Sequence, residues 1–417
     1  MHRILMVVPV LLLGCASGER AVPAPASTEP PRASTDLEDV TTVPAGDQPV
    51  LTSPPSTVAT PEPTAPPRDF SDVDGIVADF VAERGLNGAG LIVVDAADGV
   101  VHEQYWGVWD SGRVSLVASS TKQITAGVLL HLQDQGLIDL DAPVAEVVPW
   151  GSANPTITTA QLLSSRSGLV GLLPDAAYPP YLCQSTPDGT LQSCAEQVFT
   201  SIDDDGDQVP PDTEFRYGGA QWQVAGGIAE AVSGRSWAEL IEEIYVEPCG
   251  VETLGYNNHF AQLASGFDYP TQVDGDLGFL PPTANPNMEG GAYISVPDYG
   301  RLLRMHLDGG RCGDTQVLSA EALGEMYTDG LAAWGGSTYT GGGYGMGWWI
   351  DRETGRLTDP GAYGAVPWLD LDDGYGAYLV IERDAATGTE LAGLLFEPVE
   401  RALRGGCPAG CRRPDRP

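Results

Sequence analysis

Strand-like stretches lie near both ends of this chain and helix-like stretches lie between them, and that distribution limits the available folds more than any other feature. Gly90 to Asp95 leads through Ala-Ala-Asp-Gly into Val100 to Val108, two β-rich runs around a glycine-containing turn and hence a hairpin signal. Near the other end, Tyr375 to Glu382 and Glu390 to Phe396 flank Ala385-Ala386-Thr387-Gly388 in the same manner, which predicts a second hairpin. In the middle, Gln123 to Gln135 places Ile124, Val128, Leu129 and Leu132 at helical spacing, with Gly136 positioned to end the helix. Gln221 to Val232 repeats the pattern and stops at Ser233-Gly234. Ser236 then opens another helix, with Glu239 completing a capping box. The predicted fold class is α/β (α+β): an antiparallel sheet built from both termini, flanked by helices, plus a mostly helical lobe.

The first residues read as an export signal. Met1-His2-Arg3 is basic, and Ile4 to Leu13 is an apolar run about half the roughly 20 residues that a bilayer-spanning helix needs. Leu12-Leu13-Gly14-Cys15 resembles the lipobox of bacterial lipoproteins, in which the signal is cut before the cysteine and the cysteine is acylated. That resemblance implies lipidation at Cys15, attachment to a membrane through the lipid, and a place in the bacterial cell envelope. An ordinary cleaved signal and a short membrane anchor are the rival readings. Residues 15–69 are rich in Pro, Ala, Thr and Ser, and 12 of the 34 prolines fall there, so the segment reads as a disordered tether after the signal of residues 1–14. Residues 70–404 form the expected folded domain, large enough for a second lobe, and 405–417 a short cysteine-containing tail. Apart from Cys15, six of the seven cysteines remain, and an even number in an exported chain suggests disulfides. Cys183–Cys194, Cys407–Cys411 and Cys249–Cys312 is the pairing that needs fewest assumptions. No metal site is expected, because the five histidines do not sit at ligand spacing near the cysteines.

Charge narrows the partners. With 57 acidic against 21 basic side chains the formal net charge is −36, which argues against nucleic acid and against a polybasic contact with anionic lipid. Of those 21 basic residues only Lys122 is lysine. It closes Ser119-Ser120-Thr121-Lys122 at the start of the first strong helix, and residues three apart share a helix face. A neutral amine beside a serine hydroxyl can take its proton and release a nucleophile, which a permanently charged arginine cannot do. On this reading the site lowers the lysine pKa, by burial or by positive potential.

Five groups of residues, in order and beginning with that motif, resemble the serine β-lactamase and penicillin-binding protein superfamily, in its class C-like, esterase-rich branch. Ala118 to Lys122 with the helix running to Gly136-Leu-Ile-Asp-Leu-Asp-Ala-Pro143-Val resembles its first motif. Ile157-Thr158, Leu162-Leu163 and Ser167-Gly168-Leu169 resemble the stretch that follows. Phe215-Arg216-Tyr217-Gly218-Gly219 resembles the Tyr-x-Asn motif, Gly290 to Ser295 the later Gly-Gly segment, and Tyr344 to Trp348 with Asp359-Pro360-Gly361-Ala362-Tyr363-Gly364 the region of the third motif. The resemblance implies Ser119 as nucleophile, Lys122 and Tyr217 sharing general-base work, and the backbone N–H groups of Ser119 and Ala362 as the oxyanion hole. It implies substrate contacts at Gly219, Asp359 and Gly361, and no cofactor.

Two positions depart from that pattern. Gly219 stands where the family has the asparagine of Tyr-x-Asn, and Gln221 or Gln223 is a candidate substitute. Asp359 stands where the family commonly has a basic or hydrogen-bonding residue that helps bind a substrate carboxylate; an aspartate repels a carboxylate unless protonated. The expected activity is therefore acyl transfer through an acyl-Ser119 intermediate on a small uncharged ester or acyl substrate. D,D-carboxypeptidase or β-lactamase activity, and a non-catalytic binding module on the same fold, are the alternatives.

Other features are weaker. Asp203-Asp204-Asp205-Gly206-Asp207 with Glu214 mimics a calcium loop, but Gly206 is offset and Pro210-Pro211 interrupt it, so a solvated acidic loop is expected. His131 reads as structural or exposed, and His102, His259 and His306 lack a triad context. The aromatics of Trp334 to Trp349 and Trp368 read as core or cleft wall.

Overall fold

The computed structural model describes residues 68–172, 177–260 and 283–405. Its strands are β1 (Gly88–Asp95), β2 (Gly99–Gly107), β3 (Val114–Leu116), β4 (Gly255–Tyr256), β5 (Ala292–Ser295), β6 (Arg311–Cys312), β7 (Thr315–Gln316), β8 (Gly343–Tyr344), β9 (Trp349–Ile350), β10 (Leu357–Thr358), β11 (Ala365–Asp370) and β12 (Tyr375–Val380). The longer helices are α1 (Ser71–Arg84), α2 (Lys122–Asp134), α3 (Leu191–Phe199), α4 (Gln221–Ser233), α5 (Val296–Leu307), α6 (Ala320–Tyr327) and α7 (Ala385–Leu403).

A seven-stranded antiparallel sheet runs in the order β2-β1-β12-β11-β10-β9-β8. The N-terminal hairpin thus joins the C-terminal strands through β1 and β12, where Ile92 lies opposite Tyr378. Strand β1 is buried along its whole length, and its period of two explains how. Leu91 and Val93 pack with Val77, Phe80, Leu391 and Leu395 of α1 and α7, whereas Ile92 and Val94 join the core that α2 and α5 build on the other face. Each such aliphatic side chain, fully buried, contributes about 1.5–3 kcal/mol. The helical lobe stands on that second face, with α3 packed on α4 and α4 on α2.

The sequence and the structure part at the C-terminus. Glu390 to Phe396 is not a strand: it belongs to α7, whose Leu391, Leu395, Val399 and Ala402 recur at helical spacing and are buried against the sheet. Asp384 caps that helix by accepting from the Thr387 amide at 2.9 Å. The partner of β12 on that side is instead β11, from Ala365–Val380 to Asp370–Tyr375. The Ser236–Glu239 capping box and the left-handed Gly136 and Gly234 after α2 and α4 match expectation. Cys183–Cys194 and Cys249–Cys312 form disulfides. Cys15, Cys407, Cys411, the signal and almost all of the tether lie outside the described residues, in which no helix is long and apolar enough to cross a membrane.

Candidate active site

A tight 3₁₀ turn, Ala118–Thr121, enters α2, and it presents Ser119 to solvent while its neighbours face inward. Ala118 sits at φ +45°, a left-handed conformation that disfavours any side chain and persists only where the surroundings enforce it. They do so at three points. The Ser120 carbonyl accepts from Tyr299 Oη at 2.9 Å, and Thr121 Oγ1 accepts from the Ala292 amide at 3.0 Å. Ser120 Oγ donates to the Asp359 carbonyl at 2.5 Å. That carbonyl is free because of a proline. The Asp359 amide donates to the Pro367 carbonyl at 3.3 Å, as in an antiparallel pair, but Pro367 has no N–H to return. The nucleophile turn and the turn after β10 are fastened together there.

One helical turn on, Lys122 is wholly buried. Its Nζ donates to Ser119 Oγ at 3.0 Å and to the Glu289 carbonyl at 3.0 Å, and lies 3.4 Å from Glu289 Oε2. It also sits 4.7 Å from the centre of the Tyr217 ring, whose hydroxyl interacts with both Ser119 and Lys122. Burial pushes the Lys122 amine down, but Tyr217, Glu289 and Asp359 together push it up further, so its pKa ends above the ordinary lysine value. The expectation of a lowered pKa is corrected here: buried acidic neighbours outweigh desolvation. Burial likewise raises Tyr217, against the opposing pull of Lys122. Lys122 therefore rests as an ammonium.

Above Ser119 opens a cleft of about 880 Å³, lined near the serine by Leu172, Tyr217, Trp349, Ile350, Pro360 and Ala362. Its far rim carries Asp351, Arg352 and Glu353, and Arg352 is held by Asp329 at 2.7 Å. Phe215, Tyr217, Tyr344 and Trp349 pack on one another behind the apolar wall. A nucleophile, an adjacent amine and phenol, and an apolar cleft are the parts that acyl transfer requires. Among the described residues no group of His, Cys, Asp and Glu side chains could hold a metal ion.

The model of the family described as Beta-lactamase matches residues 73–396. The chain belongs to the beta-lactamase family. Members of this family are serine hydrolases, among them esterases, carboxypeptidases and β-lactamases. The chain is 27% identical over 360 residues to penicillin-binding protein 4 of Amycolatopsis lactamdurans, covering 80% of this chain and 88% of that one. It is 29% identical over 225 residues to the esterase/beta-lactamase LipL of Mycobacterium tuberculosis, covering 50% of this chain and 46% of that one. The crystal structure of a beta-lactamase-like protein from Bacteroides dorei superposes with a TM-score of 0.62 at 26% identity, covering 81% of this chain and 99% of that chain.

Against the beta-lactamase family's pattern, Ser119, Lys122 and Tyr217 come together, and Ser119 and Ala362 both border the cleft. Gly219, Asp359 and Gly361 are buried and do not line it; Thr358 and Pro360 do. The expectation that Asp359 faces substrate is thus corrected. Its carboxyl has no hydrogen-bond partner within normal geometry among the described residues, and burial drives its pKa well above the carboxylate range, against Lys122 and the Gln123 amide. The family's cation is missing from the third motif, but no anion takes its place in the cleft.

Neither glutamine replaces the missing asparagine. Gln221 Nε2 donates to the Arg216 and Gly218 carbonyls at 2.7 and 2.6 Å, and Gln223 Nε2 to Asn285 Oδ1 and the Pro286 carbonyl at 2.7 and 2.8 Å. Glu289, which sequence reasoning did not single out, reaches Lys122 instead. The acidic loop is also not fully solvated, since Asp204 is buried and accepts from Tyr181 Oη and from Gln208 Nε2 at 2.8 Å. The histidines have structural partners: His131 the Val317 carbonyl, His102 Asp74, His259 Asn257 and Tyr363, His306 Tyr327 and Gln123. Burial pushes His259 and His306 down to about 3, so both are neutral where most enzymes work.

Proposed function

We propose that this protein hydrolyses uncharged carboxylic esters by acyl transfer to Ser119. The observation that carries the reading is the 3.0 Å contact between Lys122 Nζ and Ser119 Oγ at the floor of an apolar cleft. Once Lys122 has lost its extra proton, Lys122 and Tyr217 take the Ser119 proton as Oγ bonds to the acyl carbon. The same proton passes to the departing alcohol oxygen as the ester C–O bond breaks. Water then attacks the acyl-serine by the reverse relay, giving the carboxylic acid and free Ser119. The Ser119 and Ala362 N–H groups would hold the developing oxyanion, each worth roughly 3–4 kcal/mol in acyl-transfer enzymes.

The choice of an uncharged ester is supported by the third motif, which supplies no cation to the cleft, and by a rim whose arginine is already paired with Asp329. The similarity to LipL, an esterase/beta-lactamase, is consistent with it. Similarity to a penicillin-binding protein over most of both chains keeps D,D-peptidase chemistry as the second reading. The test is labelling with a fluorophosphonate probe alongside turnover of p-nitrophenyl esters, a chromogenic cephalosporin and a D-Ala-D-Ala peptide. Labelling and ester turnover are expected in the wild type and neither in Ser119→Ala; equal labelling of both proteins, or none of either, rejects the hydrolase.

The reading extends to the envelope. Leu12-Leu13-Gly14-Cys15 and the two disulfides support an exported lipoprotein held to a membrane by Cys15, with the proline-rich tether as spacer. Mass spectrometry of the mature N-terminus should find a diacylated or triacylated Cys15, and an unmodified terminus elsewhere refutes the anchor.

A further inference from the structure

Glu289 lies on the segment before β5, far in sequence from the motifs that carry the site. Its side chain is nonetheless buried, and it touches two of them at once. Oε2 accepts the Gly219 amide at 2.7 Å and faces Lys122 Nζ at 3.4 Å, while its own carbonyl accepts from Nζ at 3.0 Å. The two glycines make the space. Gly218 and Gly219 both adopt positive φ, +67° and +80°. A Cβ on Gly218 would come within 2.5 Å of Glu289 Oε2, and one on Gly219 within 3.0 Å of the Leu172 amide and the Val170 carbonyl. A side chain at either position would displace the carboxylate or the neighbouring backbone.

The segment that delivers Glu289 is itself fixed. Asn287 Oδ1 accepts the Glu289 and Gly290 amides at 3.2 and 2.8 Å, and Asn287 Nδ2 donates to the Gln184 carbonyl at 2.8 Å. A buried carboxylate so placed is paired on both sides: with a backbone dipole and with the ammonium of the only lysine in the chain.

We propose that Glu289 is the positioning residue of this site: its carboxylate, entering the space left by Gly218 and Gly219, holds the Lys122 ammonium against Ser119 and sets the pH at which Lys122 is freed to act. The inference rests on the acyl-transfer reading above. The other groups that bear on Lys122 are Tyr217 on the loop before α4, Asp359 after β10, and, through those two, Tyr344 of β8 and Tyr299 of α5. Of these, Glu289 alone pairs its charge with Lys122 within ion-pair distance among the described residues.

The lone lysine makes a direct test possible, because lysine labelled with ¹³C at Cε gives one signal. In the full-length protein, Glu289→Gln keeps an acceptor for the Gly219 amide and removes the charge. Loss of an opposite charge at this range is expected to move the Lys122 titration midpoint down by about 1–3 pH units. The rising limb of kcat/KM for p-nitrophenyl acetate should move down with it. Glu289→Asp keeps the charge and should hold both midpoints closer to wild type, and it serves if the glutamine variant does not fold. An unmoved or raised lysine midpoint in the charge-removing variant overturns the proposal, as does an aspartate variant that behaves like the glutamine one. A lysine midpoint that falls while the rate limb stays fixed, or a wild type that turns over no ester, leaves Glu289 in place and rejects the acyl-transfer reading.

Discussion

The two places where this chain departs from its family's motifs behave oppositely. At Gly218-Gly219 a side-chain amide has been lost, and a carboxylate from another segment fills the volume and accepts the stranded backbone N–H. At Asp359 a carboxyl has been gained in a place with no hydrogen-bond partner of normal geometry among the described residues. The first departure is compensated by a second residue that fits it, and the second is accommodated by protonation. A motif letter alone therefore tells less than the polar atoms that surround it: glycine here marks an occupied site, and aspartate marks a neutral one.

The comparison can be broken at three levels. The largest effect is expected at the residue both regions flank. Lys122→Arg keeps the cation beside Glu289 but removes a group able to lose its proton, and ester turnover should fall on the order of 10²–10⁴-fold while the fold is retained. Near-normal turnover in that variant ends the assignment of Lys122 as base. The intermediate effect is the pH shift of the Glu289 variants set out above. The smallest is at Asp359. Asp359→Asn should move the rising limb down less than Glu289→Gln does, because burial favours the protonated form of Asp359 and only Glu289 stands at ion-pair distance from Lys122 among the described residues. It should also change stability. A carboxyl whose folded pKa is raised binds its proton in the folded state while the unfolded chain, near the ordinary aspartate value of 3.8, has released it. Wild-type stability from this group is complete below that value and is lost as pH rises towards the folded pKa. Urea unfolding of Asp359→Asn should lack this decline, so that its stability relative to wild type rises as the pH is taken from below about 4 to neutrality. A pH limb that moves in Asp359→Asn as far as in Glu289→Gln would show the two departures to be electrostatically equivalent.

Much of the site was legible in sequence because helix geometry brings it together. Ser119 and Lys122 are neighbours across the 3₁₀ turn that enters α2, so spacing sufficed for that pair, whereas Tyr217 was marked only by its resemblance to the family's Tyr-x-Asn motif. The join of the termini through β1 and β12 followed from where the β-rich runs lay. The failures have physical causes. Leu391-Ala392-Gly393-Leu394-Leu395-Phe396 is apolar on more than one helical face, and so short an apolar run does not distinguish strand from helix. Strand β11 was hidden by Pro367, which normally argues against an interior strand. Here the missing N–H would face only the Asp359 carbonyl, at the end of the pairing with β10, and the Ser120 hydroxyl satisfies that carbonyl in its place. Glu289 gave no signal of its own, being one acid among 57. The sign of the Lys122 shift also depends on which acids surround it in space, which spacing along the chain does not reveal.

The absent N–H of Pro367 reaches beyond the sheet. Any other residue there would offer the Asp359 carbonyl a backbone donor in competition with the Ser120 hydroxyl, and the serine turn would lose one of its three fastenings. With that hydroxyl in place, the floor of the cleft and the wall bearing Ala362 behave as one piece. Changes of substrate preference are then best sought at the exposed rim, Asp351 to Glu353, away from those two joined turns.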